Sequence, residues 1–266
     1  MKMYFIPALL ICILTFCVFR LIYIRRSNAA TRISLIITGF ILAIPAVLFT
    51  SNYTLLIPYA PWFYYFHALP GIEMSSGLTG ALLGVLYASS KLRPGKLNAP
   101  ILTACTMIFL GLLIAPFAKQ MIYGINYSIL ENRWHDGICL QSSSYTCVPA
   151  CITTLIRMQG GHITEPELAS AAGSTSRGTE MWYMMRALRK PGYELRVHHV
   201  NPIQKAPVPS VIGVKLGDIG HVVVLLAKDK DGPVIGEPLR GRHKYTWKVF
   251  RKSYHPDGTC ITISKI

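Results

Sequence analysis

The stretch Gln141-Ser142-Ser143-Ser144-Tyr145-Thr146-Cys147-Val148-Pro149-Ala150-Cys151-Ile152 governs the reading of the whole chain. Its second half opens a helix over residues 147–158. Val148, Ile152, Leu155 and Ile156 recur at helical spacing, and Pro149 falls in the first turn, where its missing N–H costs nothing. Gly160 and Gly161 close that helix. Cys147 therefore stands at a helix N-terminus, where the dipole and the free N–H groups favour a thiolate. Cys151, one turn further in, faces the core.

Downstream, Thr164 opens a second short helix over 165–172, and a glycine-bounded loop runs from Gly173 to Gly178. A third helix over 180–190 is closed by Pro191 and Gly192. The period then changes. Residues 193–200, 209–216, 221–227, 234–237, 245–250 and 260–264 are β-branched or alternating, with turn residues between them. Asp231-Gly232 predicts a hairpin turn between the third and fourth of these runs. Helices followed by antiparallel strands describe an α+β domain, long enough to bury one core.

His221 opens an apolar strand directly after Gly220, and Glu237 lies on the predicted neighbouring strand. Pairing of those strands brings the carboxylate back beside the imidazole. A Cys147–His221–Glu237 constellation is thus feasible at one edge of the domain. Each residue alone has a plainer reading: a helix-tip cysteine is more often an inert buried thiol, and a histidine on an apolar strand a satisfied core residue.

Upstream, the composition changes. The chain has 266 residues, of which 52% are hydrophobic and 15% charged. Residues 1–117 hold Lys2, Arg20, Arg25, Arg26, Arg32, Lys91, Arg93 and Lys96, with Glu73 as their one acid. Four uncharged apolar runs, 3–19, 33–50, 74–90 and 97–118, approach the length needed to cross a bilayer. The first follows Lys2 like a signal peptide. It lacks a small-residue cleavage site, however, and ends in a basic flank, so it reads as a retained helix. The aromatic run Trp62 to Phe66 reads as an interfacial belt, with a short hairpin as the alternative. Basic residues fill the first and third connections and are missing from the second, residues 51–73. The positive-inside rule then sets both termini on the outer face. The expected organisation is a transmembrane region of about four helices at 1–118, a linker at 119–137 and a soluble domain at 138–266. With no ionisable residue in the middle of a span, simple anchorage is the expected role of the helices.

The run from Gln141 to Ile152 resembles the signature of the bacteriocin-processing, double-glycine leader peptidases. These are papain-like cysteine peptidases found as the N-terminal domain of peptide-exporting ABC transporters. Their pattern sets a Gln six residues before the nucleophile, which sits in an Asp-Cys-Gly-Pro-Ala-Cys-like segment opening a helix. A His starting a strand follows, with Asp-Pro sixteen residues beyond it. Gln141 and Cys147 keep the first spacing; His221 and Glu237-Pro238 keep the second. Thr146 stands where the family has Asp, Val148 where it has Gly, and Glu237 where it has Asp.

The resemblance implies an endopeptidase. Cys147 would be the nucleophile, His221 the general base and acid, Glu237 the imidazole's orienting partner and Gln141 an oxyanion donor. It implies no cofactor and no metal, and cleavage after a small pair such as Gly-Gly. The partners expected are a peptide or protein substrate, the lipid bilayer and a separate export system, because no GxxxxGK[ST] phosphate loop is present. The expected location is a bacterial cytoplasmic membrane, with the peptidase domain on the extracytoplasmic side. There Cys139, Cys151 and Cys260 would be able to pair, although sequence does not choose among them.

Three other functions compete with this one. The alternative is an inactive relative that binds a peptide in the same groove, as part of an export or envelope complex. A thiol–disulfide exchanger would want Cys-x-x-Cys, whereas Cys147 and Cys151 are four apart. The basic run Arg240, Arg242, Lys244, Lys248, Arg251 and Lys252, placed on the strand at 245–250, suits anionic head groups or solvent rather than nucleic acid. The histidines show no zinc-ligand spacing.

Overall fold

A computed structural model describes residues 2–26, 28–54, 61–92 and 99–266. Arg93, Lys96 and the start of the fourth apolar run lie outside the described residues, as do residues 55–60 of the second connection. The chain opens with α1 (Lys2–Arg25), α2 (Ala29–Thr54) and the short α3 (Pro61–His67). A 3-10 segment, Ile72–Leu78, leads into α4 (Thr79–Leu92), and α5 (Ala99–Ile122) follows. After a hairpin of β1 (Arg133–His135) and β2 (Ile138–Leu140) come α6 (Cys147–Met158), α7 (Glu165–Ala171) and α8 (Met181–Arg189). The remainder is β3 (Tyr193–His199), β4 (Ser210–Leu216), β5 (Ile219–Lys228), β6 (Pro233–Glu237), β7 (Gly241–Lys244), α9 (Trp247–Tyr254) and β8 (Thr259–Lys265). The chain divides into two compact units; α1, α2, α4 and α5 make the first, and α3 belongs to the second with everything after Ile122.

In the first unit, α1, α2 and α5 are, among the described residues, the helices long and apolar enough to cross a membrane. Their outward side chains are apolar: Leu14, Phe40, Met107 and Ile108 are all more than half exposed. The α4 helix is shorter, and glycines bring it against α1. A Cβ at Gly77, Gly80 or Gly84 would stand 2.2, 2.1 or 2.4 Å from the carbonyl oxygens of Ala8, Cys12 and Phe16. Small residues on one helix face permit this backbone approach, which replaces the hydrophobic drive that lipid cannot supply.

The second unit is built on a six-stranded sheet of order β3-β8-β4-β5-β6-β7, with every pairing antiparallel. Five consecutive residues of β4 and five of β5 are buried, so both faces of the sheet centre are covered. One face packs Ile212, Val214, Val223, Leu225 and Ile235 with Phe250 and Tyr254 of α9. The α6 helix is buried from Val148 to Ile156, and its Cys151 thiol reaches the Val222 carbonyl of β5 at 3.4 Å.

The helices and most strands follow the expected boundaries, including the turn at Asp231-Gly232 between β5 and β6. The strand expected at 245–250 is corrected. Thr246 caps a helix there, its Oγ1 accepting the Val249 N–H at 3.3 Å. The basic residues therefore divide: Arg242 and Lys244 lie on β7, and Lys248, Arg251 and Lys252 on α9. The β1–β2 hairpin and β7 lie outside the expected strands; the hairpin turns at Asp136-Gly137, with both φ angles positive (48° and 76°). The aromatic run also differs from the expected belt. Trp62 and Tyr65 remain exposed, but Phe63 is buried in α3. The His67 ring lies 4.1 Å from Phe63 and 5.0 Å from Trp182 of α8, and Arg186 donates to the His67 carbonyl. Cys139, Cys151 and Cys260 are buried free thiols.

Candidate active site

Cys147 is the first residue of α6 and is half-buried. Its helix is entered through a turn in which the Thr146 N–H reaches the Ser143 carbonyl at 3.3 Å and Thr146 Oγ1 accepts the Ser143 N–H at 3.2 Å. Thr146 thus closes this turn through its hydroxyl. It makes no side-chain bond into α6, so the unpaired N–H groups of the first turn stay directed along the helix tip.

His221 lies on β5 with 8% of its surface exposed. Its Nε2 donates to Glu237 Oε1 at 2.8 Å. Burial opposes protonation of this imidazole. Hydrogen bonds to Cys147 and Glu237, with the charges of both, outweigh burial and lift His221 to about 9. Glu237 is itself buried at 2% exposure and accepts the Leu239 N–H at 3.3 Å.

The strand register explains how glutamate serves here. Gly236 pairs with Val224, so continuing the ladder sets Glu237 across from Val223, two residues from His221 and on the same face. That is a diagonal pair, a longer reach than a direct one. The extra methylene of glutamate helps to span it.

Gln141 follows β2 directly and is 6% exposed. Its backbone N–H donates to the Pro238 carbonyl at 2.9 Å, tying the loop to the end of β6. Its side-chain Nε2 donates to Ser143 O at 2.7 Å, and Oε1 has no partner among the described residues. The imidazole and carboxylate thus meet, with Cys147 among the groups that raise the ring, while the Gln141 amide is engaged with its own loop and keeps one N–H in reserve.

Two further groups bear on the site. Tyr254 of α9 is held above the usual phenol range by burial, by its bond to Tyr245 Oη at 3.2 Å and by the Glu237 carboxylate. Glu165, fully buried, accepts the Ser142 N–H at Oε1 (3.0 Å) and contacts the Ser142 hydroxyl through Oε2. Sequence gave only a weak sign of Glu165, an acid in the first turn of a short helix. The other thiols of the domain are inert by comparison: burial pushes Cys139 up to about 12, and raises Cys151 and Cys260 as well. Among the described residues, no three His, Cys, Asp or Glu side chains converge as a metal site.

A thiol beside an imidazole beside a carboxylate, carried on helices followed by an antiparallel sheet, is the arrangement of papain-like cysteine peptidases. The sequence model of the Peptidase C39 family matches residues 136–265. An uncharacterised protein of Methanothermobacter thermautotrophicus is 31% identical over 121 residues, covering 45% of this chain and 83% of that protein. A second, from Methanothermobacter marburgensis, is 32% identical over 119 residues, with the same coverage of 45% and 83%. Among solved structures, the peptidase domain of Streptococcus ComA, described as a bi-functional ABC transporter involved in a quorum sensing pathway, is 18% identical. The match covers 50% of this chain and all of that one, at a TM-score of 0.45. A double glycine motif protease from an AMS/PCAT transporter, solved in complex with the leader peptide, is 18% identical. It covers 48% of this chain and 91% of its own, at a TM-score of 0.43. This chain belongs to the Peptidase C39 family.

Proposed function

We propose that the chain is a membrane-anchored cysteine endopeptidase whose peptidase domain occupies about residues 138–266. The observation that carries the reading is the buried His221 imidazole, bonded through Nε2 to a buried carboxylate and raised by both Glu237 and the helix-tip Cys147. An imidazole lifted to about 9 carries its proton at neutral pH, the proton that the leaving amine needs. Cys147 attacks the peptide carbonyl, forming the C–S bond as the carbonyl electrons move to oxygen. The oxyanion is met by the Cys147 N–H and the free N–H of the Gln141 amide, each such donor being worth about 10²–10³ in rate. His221 gives its proton to the leaving amine, then draws one from the water that hydrolyses the thioester. Glu237 keeps the ring oriented and offsets its charge. The substrate class that fits the family is a peptide with Gly-Gly or another small pair before the cut, delivered to or from a separate export system.

Sidedness has its own support. The α3 helix folds as part of the second unit, which supports putting the connection between α2 and α4 on the same membrane face as the peptidase domain. An even number of crossings must separate them. Residues 72–92 serve as one crossing: seven 3-10 residues and fourteen α-helical ones rise about 35 Å, against a hydrocarbon core of about 30 Å. With α5 that makes four spans, and the arginines of the first connection hold it in the cytoplasm. The peptidase domain then faces outward from a cytoplasmic membrane.

The test is hydrolysis of a fluorogenic peptide ending in Gly-Gly by the full chain in detergent. Cys147→Ala is expected to abolish turnover, and His221→Ala to lower it by at least about 10³-fold. Turnover that survives Cys147→Ala would overturn the peptidase reading. A parent chain that binds Gly-Gly peptides without cutting them would favour the inactive, peptide-binding alternative.

A further inference from the structure

The loop carrying Gln141 is pinned from several sides. Gln141 N–H reaches Pro238 O at 2.9 Å, the Arg133 guanidinium reaches Gln141 O at 3.4 Å, and the Glu131 N–H reaches Ser142 Oγ at 2.9 Å. The most costly of these anchors is Glu165. Its carboxyl has no exposed surface, and both of its oxygens meet Ser142, the residue directly after Gln141. A carboxyl group removed from water loses its hydration, which a single backbone N–H and one hydroxyl replace only in good geometry. A serine side chain or a carbonyl would satisfy the Ser142 N–H more cheaply. A carboxyl aimed there from a separate element, α7, instead fixes the loop against the domain body from outside the hairpin that bears it.

We infer that Glu165 is a positioning residue for the oxyanion site, holding Ser142 so that the Gln141 amide stands ready beside Cys147. The inference rests on the peptidase reading above. Glu165 touches neither sulfur nor imidazole in the described contacts, so it acts on the tetrahedral intermediate through Gln141 and leaves formation of the thiolate alone.

The experiment uses full-length protein with Glu165→Ala, Glu165→Gln, Gln141→Ala and the Gln141→Ala/Glu165→Ala double variant. Two rates are read: turnover of the Gly-Gly peptide, and alkylation of Cys147 by iodoacetamide, a displacement that builds no oxyanion. Glu165→Ala is expected to lower kcat about 10–100-fold with KM within about twofold, and to leave alkylation unchanged. Glu165→Gln keeps an acceptor for the Ser142 N–H and should recover most of the rate. The double variant should be no slower than Gln141→Ala alone, because both changes remove one interaction. Hydrogen exchange over residues 141–146 should rise in Glu165→Ala, a readout independent of turnover. Losses that multiply in the double variant, or alkylation that falls with turnover, would overturn the inference. Should Cys147→Ala be inert while Glu165→Ala matches the parent, this inference alone falls; should Cys147→Ala retain full activity, the peptidase reading falls first.

Discussion

Glu237, bonded to His221 Nε2, and Cys147 together set the pH behaviour of the imidazole, and with it that of the site. The imidazole is lifted from 6.5 to about 9, with burial opposing and the two bonded partners prevailing. A histidine raised on folding adds stability that is fully present below about 6.5 and is lost as pH climbs through about 9. The thermal midpoint should therefore fall between those limits, and the fall should be blunted in His221→Gln. The basic limb of the pH–rate profile is expected near 9 for the same reason. Glu237→Gln removes one cause of the lift, so that limb should move down toward 6.5 while kcat drops about 10²–10⁴-fold. A limb that stays put in Glu237→Gln would separate the carboxylate from the ring. At this scale the sequence was informative. Cys147, His221 and Glu237 each sat at a predicted element end, and spacing alone brought two of them together. Glu165 was not legible, because its target, Ser142, is 23 residues away and nothing in the run from Gln141 to Ile152 marks Ser142 as needing a carboxyl partner.

Elements were legible where one period dominated and illegible where two competed. The α6 boundaries follow from a clean apolar stripe between Pro149 and the paired glycines. In residues 245–250, Tyr245, Trp247 and Val249 alternate with polar neighbours and imitate a strand. The helix prevails because Phe250 and Tyr254, one turn apart, fill the core beneath β4 and β5, with Thr246 capping the start. Thr246 followed by that i, i+4 pair was the signal to read. The α3 helix was obscured for a different reason: aromatic residues suit a lipid interface and a packed core alike. Its place on α8 yields a prediction. Burial, with Arg186 nearby, depresses His67 to about 4 despite its bond to the Phe63 carbonyl. A depressed histidine adds stability that is present above about 6.5 and is lost as pH falls toward 4. Trp182 fluorescence and hydrogen exchange of α3 should therefore report loosening across that window, absent in His67→Phe. Loosening that persists in His67→Phe would assign it to another group.

At the scale of the whole molecule, the proposed topology puts α3 and the peptidase domain on one side of the membrane. Single cysteines placed at Trp62 and at Lys265, in a background lacking native cysteines, should be reached by an impermeant maleimide from the same side of sealed vesicles. A cysteine at Arg26 should be reached from the other side. Opposite labelling of Trp62→Cys and Lys265→Cys would remove one crossing from the topology. The chain's seven free thiols also permit the most direct test of the central claim, that Cys147 is an accessible nucleophile activated by His221. The intact protein is treated briefly with iodoacetamide at pH 7, and the labelled cysteines are identified by mass spectrometry. The account predicts that Cys147 is modified well before Cys139, Cys151 and Cys260, and that His221→Ala removes its lead. Equal labelling of all four, or a lead that survives His221→Ala, would contradict it.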